Sequence, residues 1–140
     1  MNADVKPRTP PKPNVYVDTA QFWNAAQKRK LVIQYCRDAG KFQHYPRPVS
    51  IYTGKRNLEW REVRGKGVIY TCTIIRIPGP GLDGRLPLPA ATIELDEGAR
   101  FIANIIDTDP AKIKIGARVE GAWDRITDDF VYPAFKVVEG

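Results

Sequence analysis

A mainly β protein, with a small closed barrel preceded by one helix and a turn-rich segment, is the fold class this sequence predicts, on three observations. From Gly65 onward, apolar and β-branched residues run in strand-length stretches separated by turn residues. One of these stretches, Val68 to Ile75, carries such residues on both of its alternating faces, as a strand in a small barrel does. The chain has 140 residues, enough for one core with an appendage and too few for two large domains. A composition of 43% hydrophobic and 27% charged residues excludes disorder. No run approaches the roughly 18 apolar residues of a membrane-spanning helix, so no membrane partner is expected.

Taken in order, residues 1–17 are proline-rich and polar, an extended arm that lies on a partner or stays mobile. Met1 to Pro13 holds Lys6, Arg8 and Lys12 among four prolines and has no apolar centre. It therefore does not read as a secretory signal, and a cytoplasmic protein is expected. Asp18 stands three positions before Gln21 in a capping-box arrangement, which starts a helix over Thr19 to Lys30 of about three turns. Phe22, Ala25, Ala26 and Arg29 fall on one side of it, and Phe22 and Trp23 pack it down. Leu31 to Cys36 reads as a strand, followed by a turn at Asp38, Ala39 and Gly40 and a loop through Pro46 and Pro48. A second turn at Thr53 and Gly54 leads to Leu58, Trp60 and Val63, which completes a unit over 18–64.

Residues 65–140 then give five strands. After Val68 to Ile75 comes the loop Pro78 to Pro89, whose three glycines and four prolines exclude regular structure. Ala91 to Leu95 and Arg100 to Ile106 form a hairpin across Asp96, Glu97 and Gly98. Asp107 to Ile115 is a turn or short helical link, Gly116 opens a strand through Val119, Gly121 and Trp123, and Tyr132 to Val138 follows a turn at Asp128 and Asp129. A long first loop, with a link between the third and fourth strands, matches the OB-fold order, and an all-β roll of similar strand count fits the same pattern.

The chemistry-bearing residues are few. Two cysteines, Cys36 and Cys72, make no disulfide framework and read as buried thiols. His44 is the only histidine; it lies near Cys36 in sequence but without a nucleophile motif, so it reads as a surface side chain. Gly79, Gly81 and Gly84 are interleaved with proline and form no phosphate cradle. A net charge of +6 and a pI near 9.4 fit an anionic partner, whether nucleic acid, a phosphate-bearing cofactor or an acidic protein surface, and serve solubility equally well.

The order of a helix, Leu-Val-Ile-Gln-Tyr-Cys, a turn, Tyr-Pro-Arg-Pro, a second turn, Leu-Glu-Trp, Gly-Lys-Gly-Val-Ile-Tyr-Thr and Ile-Gly-Ala-Arg-Val resembles the zinc-ribbon plus OB-fold family over residues 18–138. That family was long catalogued as a domain of unknown function. The resemblance implies a small non-catalytic accessory subunit of a thiolase-superfamily enzyme, with acyl-CoA as substrate or ligand. Homo-oligomerisation stays open. The family's ribbon holds zinc on two Cys-x-x-Cys knuckles, and the aligned positions here read Cys36, Ala39, Ser50 and Thr53. One thiol of four survives, so a rubredoxin-like ribbon lacking its metal ligands is expected, without zinc. Phe42, Tyr45, Tyr52 and Trp60 are expected to supply by packing what the metal gave.

OB-folds bind ligands on the face of strands two and three, beside their long loops. Arg76, Arg85, Arg100 and Arg125 flank those loops and strands, and are candidates to line one rim for coenzyme A phosphates or a partner, or else are solvated surface charges. The alternative function is single-stranded nucleic-acid binding, which needs stacking aromatics. Tyr70, Phe101, Trp123 and Phe135 are expected to fill the barrel instead, which makes nucleic acid the weaker partner.

Overall fold

The computed structural model describes residues 10–127 and 129–138. Helix α1 spans Ala20–Gln27 and starts later than the capping box predicts. The chain folds back at Tyr16, whose N–H donates to the Thr19 hydroxyl (3.0 Å) and whose carbonyl accepts from it (3.2 Å). Thr19 thus becomes the N-cap with its side chain already committed, and Asp18 lies outside the helix. The C-terminal end also comes early. Lys28 is the C-cap, and Arg29 adopts φ 61°, a left-handed conformation that takes it off the helix face. Phe22 and Ala26 are the buried side of what remains.

Three short antiparallel strands follow, β1 (Val32–Cys36), β2 (Lys41–Gln43) and β3 (Leu58–Glu62), in the order β2-β1-β3. The barrel is built from β4 (Lys66–Ile75), β5 (Leu88–Leu95), β6 (Arg100–Asn104), β7 (Arg118–Thr127) and β8 (Phe130–Val137), in the order β6-β5-β4-β7-β8. A parallel bridge between Ile105 and Phe135, with Ile106 N–H donating to the Phe135 carbonyl at 2.9 Å, brings the two edges together. The result is a nearly closed five-stranded barrel, the OB-fold. Asp109 caps the 3-10 turn Pro110–Lys112 that links β6 to β7, its side chain accepting from Ala111 N–H. Asp128, half of the turn expected between the last strands, lies outside the described residues.

The proline-rich loop is more ordered than its composition predicts. It contains a 3-10 turn at Asp83–Arg85, and β5 begins at Leu88 rather than Ala91. Pro89 fits there because a proline near a strand start loses no needed donor, while its carbonyl still accepts from Ile105 N–H at 3.0 Å.

Two local features shape β4. A Cβ at Gly67 would sit 2.2 Å from the Glu94 carbonyl oxygen, so β5 approaches as closely as it does only because this residue has no side chain. Further on, the pairing shifts between Ile69 and Thr71, leaving Tyr70 as the extra residue of a bulge. Ile69 points into the core at 1% exposed, so strand alternation puts Tyr70 on the outer face, 46% exposed with Arg100 stacked on its ring at 3.8 Å, which corrects the expectation that it fills the barrel. Phe101 and Phe135 do fill it, and Trp123 packs partly buried against them.

One core runs through both sheets. Phe22, Leu31, Ile33 and Val63 belong to the same buried cluster as Ile69, Ile93, Phe101, Val119 and Phe135. At about 1.5–3 kcal/mol for each large apolar side chain withdrawn from water, this shared burial is what docks the first sheet on the barrel. Of the four aromatics expected to compensate for metal, Phe42 and Trp60 pack on the cluster. Tyr45 and Tyr52 do not, at 57% and 43% exposed, and the Tyr52 hydroxyl instead donates to the Phe42 carbonyl. Among the described residues, no helix is long and apolar enough to cross a membrane.

Candidate functional site

The loop after β2 is held by buried amides. Gln34 on β1 and Gln43 on β2 are both nearly inaccessible, and Gln43 Nε2 donates to Gln34 Oε1 at 2.9 Å. Gln34 then grips Arg47 through both backbone groups, and Gln43 Oε1 accepts from Ile51 N–H at 2.9 Å. Because the amides satisfy an otherwise irregular backbone, the loop residues His44, Tyr45 and Pro46 are fixed against the barrel.

There they close a cavity of about 210 Å³ with Phe22 and Trp23 of α1, Phe101 and Ile102 of β6, and Tyr132 and Pro133 of β8. His44 stacks on Phe101, with ring centroids 4.6 Å apart and planes 23° apart, and lies 5.3 Å from the Phe22 ring. Trp23 meets Phe22 and Tyr132 edge-on at 4.9 and 5.4 Å. The expected surface histidine is therefore part of an aromatic wall. Burial pushes its pKa down to about 4, which makes it a neutral imidazole at pH 7, and its Nδ1 is buried without a hydrogen-bond partner. Such a site can hold an apolar group. The sequence signals, an isolated histidine and a Phe-Trp pair, are far apart, and nothing in spacing or period connects them.

The four arginines do not form one rim. Arg85 Nη2 donates to Asp124 Oδ2 at 2.6 Å, a partly buried pair to which Asn104 also turns. Arg100 lies over Tyr70 and 3.9 Å from Glu94. Its cross-strand partner Glu94 stands six positions along β5 from Leu88, which pairs with Ile75 beside Arg76. That is roughly 20 Å of strand between Arg100 and Arg76. Arg76 edges a shallow depression with Leu86 and Pro87, and Arg125 is exposed, next to buried Asp124. A larger cavity of about 240 Å³ at the junction of the two sheets is lined by charges of both signs, among them Arg29, Glu62, Arg64, Lys66 and Glu120, and by none of these four.

The basic charge lies elsewhere. Residues 18–64 hold ten Lys and Arg against four Asp and Glu, a net +6, whereas residues 65–140 hold nine against eleven, a net −2. Lys28, Lys30, Arg47, Lys55 and Arg56 are all exposed in the first segment.

Cys36, Ser50 and the turns carrying them do converge. The Ser50 hydroxyl, 1% exposed, donates to Cys36 Sγ at 3.1 Å and accepts from the N–H groups of Tyr52 and Thr53. That hydrogen bond is the chief reason the thiol's pKa is lowered. Cys72 is partly buried on β4, and no hydrogen bond joins either cysteine to His44 among the described residues. Also among the described residues, no three His, Cys, Asp or Glu side chains are grouped to hold a metal ion.

Residues 60–124 match the family model described as ChsH2, C-terminal OB-fold domain. A DUF35 domain-containing scaffold protein of Pyrococcus furiosus is 32% identical over 105 residues, covering 74% of this chain and 76% of that protein. A probable enoyl-CoA hydratase alpha subunit of Thermomonospora curvata is 31% identical over 126 residues; the match takes in 90% of this chain but only 39% of the subunit's length. Among solved structures, a chain of the Ltp2-ChsH2(DUF35) aldolase superposes with a TM-score of 0.81 at 29% identity, covering 90% of this chain and 98% of that one.

Proposed function

This chain belongs to the DUF35 OB-fold family, and on that premise we propose that it is a non-catalytic accessory subunit of an enzyme that processes acyl-CoA substrates. The observation that carries this reading is the close superposition on a chain of the Ltp2-ChsH2(DUF35) aldolase. The names of the relatives, scaffold protein and hydratase alpha subunit, support the same class. The chain's own chemistry agrees with it. The single histidine is stacked between rings as a neutral group, and among the described residues no hydrogen bond joins it to either cysteine. In this reading the partner is a thiolase-superfamily enzyme that supplies the catalytic residues, and zinc plays no part, since one thiol, two hydroxyls and a methyl group make a poor ligand set. Of the four barrel arginines, Arg76 and Arg125 make no ion pair among the described residues and are the better candidates to meet a coenzyme A phosphate, because Arg85 and Arg100 already have acidic neighbours.

A nucleic-acid function fits less well. The barrel, the part that would cradle a single strand, is net acidic, and Phe101 and Phe135 are consumed by the core. Binding to single-stranded oligonucleotides should be no tighter than about 10⁻⁴ M at physiological salt.

Co-expression with a thiolase-superfamily or hydratase enzyme encoded beside this chain should give one co-eluting complex, and the isolated chain should turn over no acyl-CoA. Turnover by the isolated chain that is lost in His44→Ala or Cys72→Ala would overturn the proposal.

A further inference from the structure

Two turns of the segment 18–64 repeat one another. In the first, the carbonyl of Cys36 accepts from Gly40 N–H at 2.8 Å; in the second, the carbonyl of Ser50 accepts from Gly54 N–H at 2.9 Å. Both glycines take left-handed backbone conformations, with φ 64° and 72°. Ala39 and Thr53, each one residue before its glycine, occupy equivalent places. The pairs Cys36/Ala39 and Ser50/Thr53 thus have the two-residue spacing from which paired metal ligands are built.

The turns also face each other. Ser50 Oγ is 3.1 Å from Cys36 Sγ, and the Thr53 hydroxyl and the backbone N–H groups of Asp38 and Ala39 also act on that sulfur. The Ser50 and Thr53 hydroxyls and the Ala39 N–H thus gather on the Cys36 sulfur, but the side chains at the four positions do not fit a zinc ion. Neutral hydroxyls are weak donors to it, and the Ala39 methyl is no donor.

We infer that the buried bond between the Ser50 hydroxyl and the Cys36 thiol clamps these two turns in place of a metal, on a backbone that still has the geometry of a four-ligand site. Two consequences follow from this arrangement. Ser50 is a structural keystone, because it satisfies three polar groups at once in a place closed to water. Thiols restored at the three altered positions would meet the native Cys36 around a common centre, and would take a soft divalent cation as four thiolates.

The test uses the full chain under reducing conditions. The combined Ala39→Cys, Ser50→Cys and Thr53→Cys variant should bind one Co²⁺ per chain, with the intense thiolate charge-transfer bands of a tetrahedral sulfur site. Zinc should displace the cobalt and raise the thermal midpoint. Unaltered protein should show no such bands and the same midpoint with or without chelator. Ser50→Ala alone should lower that midpoint by about 3–8 °C. A combined variant that folds only when zinc is added supports the inference. A combined variant that stays unfolded with zinc, or folds and gives only the weak spectrum of octahedral cobalt, overturns the retained site. A Ser50→Ala midpoint equal to that of the unaltered protein, or stoichiometric zinc in the unaltered protein, overturns the clamp.

Discussion

The segment 18–64 and the barrel share a core but are stabilised by different means. Strands in the first are three to five residues long and carry a buried amide network, Gln34 to Gln43, together with the Cys36–Ser50 clamp. Strands in the barrel run from five to ten residues and enclose Ile93, Val119 and Phe135 with almost no exposure. The first segment holds the excess positive charge and the second is slightly acidic. A long hydrogen-bonded ladder over an apolar interior can stand by itself, whereas short strands with few apolar residues depend on specific polar contacts and on a neighbour to pack against. The barrel is accordingly the platform, and the basic segment is the part presented on it.

The comparison can be broken most severely from the barrel side. Phe135→Ala removes a fully buried ring at the seam where the barrel closes, and should cost about 3–5 kcal/mol, read as a shift of the urea midpoint. Because Phe22, Leu31, Ile33 and Val63 share the cluster, both parts should unfold in one transition. Two separated transitions, followed by fluorescence and far-UV circular dichroism, would show that the segment 18–64 is independent of the platform.

Acid should act next most strongly, through His44. Its folded pKa of about 4 lies below the ordinary value of 6.5, so the unfolded chain takes up the proton first. The stability owed to the neutral ring is complete above about pH 6.5, falls by up to about 1.4 kcal/mol per pH unit below that, and is lost by about pH 4. The His44→Phe variant keeps an aromatic surface without a titrating group. Its unfolding free energy should decline less between pH 6.5 and 4.5 than that of the unaltered protein.

Within the basic segment, Gln43→Leu should cost about 1–3 kcal/mol, since Gln34 Oε1 loses a donor and Ile51 N–H loses its acceptor in a nearly dry site. Hydrogen exchange should quicken in residues 44–51 before it does in β4 and β5. The smallest effect belongs to the surface. Arg118→Ala breaks a two-pronged pair with Asp96 at 2.9 and 3.1 Å, but with the arginine 45% exposed the cost should stay below about 1 kcal/mol and shrink in high salt.

How much was legible varies by residue for physical reasons. The barrel strands could be read because burial on a pleated surface imposes a two-residue period, which Ile69, Phe101, Val119 and Phe135 all obey. Which face of β4 turns inward was not legible in Tyr70, because both alternating faces of that strand carry apolar residues and only the pairing with its neighbours puts Ile69 in the core and Tyr70 outside. The helix was readable in its apolar face but not in its ends, since the Thr19 hydroxyl was drawn to Tyr16 and Arg29 turned left-handed. Strand placement in the loop before β5 was obscured by proline, whose cost is positional and not absolute.

Sequence by itself determined the mainly β character of the chain, the count and order of the barrel strands, the presence of a single thiol among positions 36, 39, 50 and 53, and the concentration of positive charge in residues 18–64. These are local or additive properties, fixed by residue type and spacing. Tertiary structure alone decided that His44 is a neutral member of an aromatic wall, that Arg85 is committed to Asp124 and Arg100 to Tyr70 and Glu94, and that Ser50 closes on Cys36. Each of those outcomes depends on the distance between groups brought together from separate elements, and burial, ion pairing and hydrogen bonding all change steeply over an ångström or two.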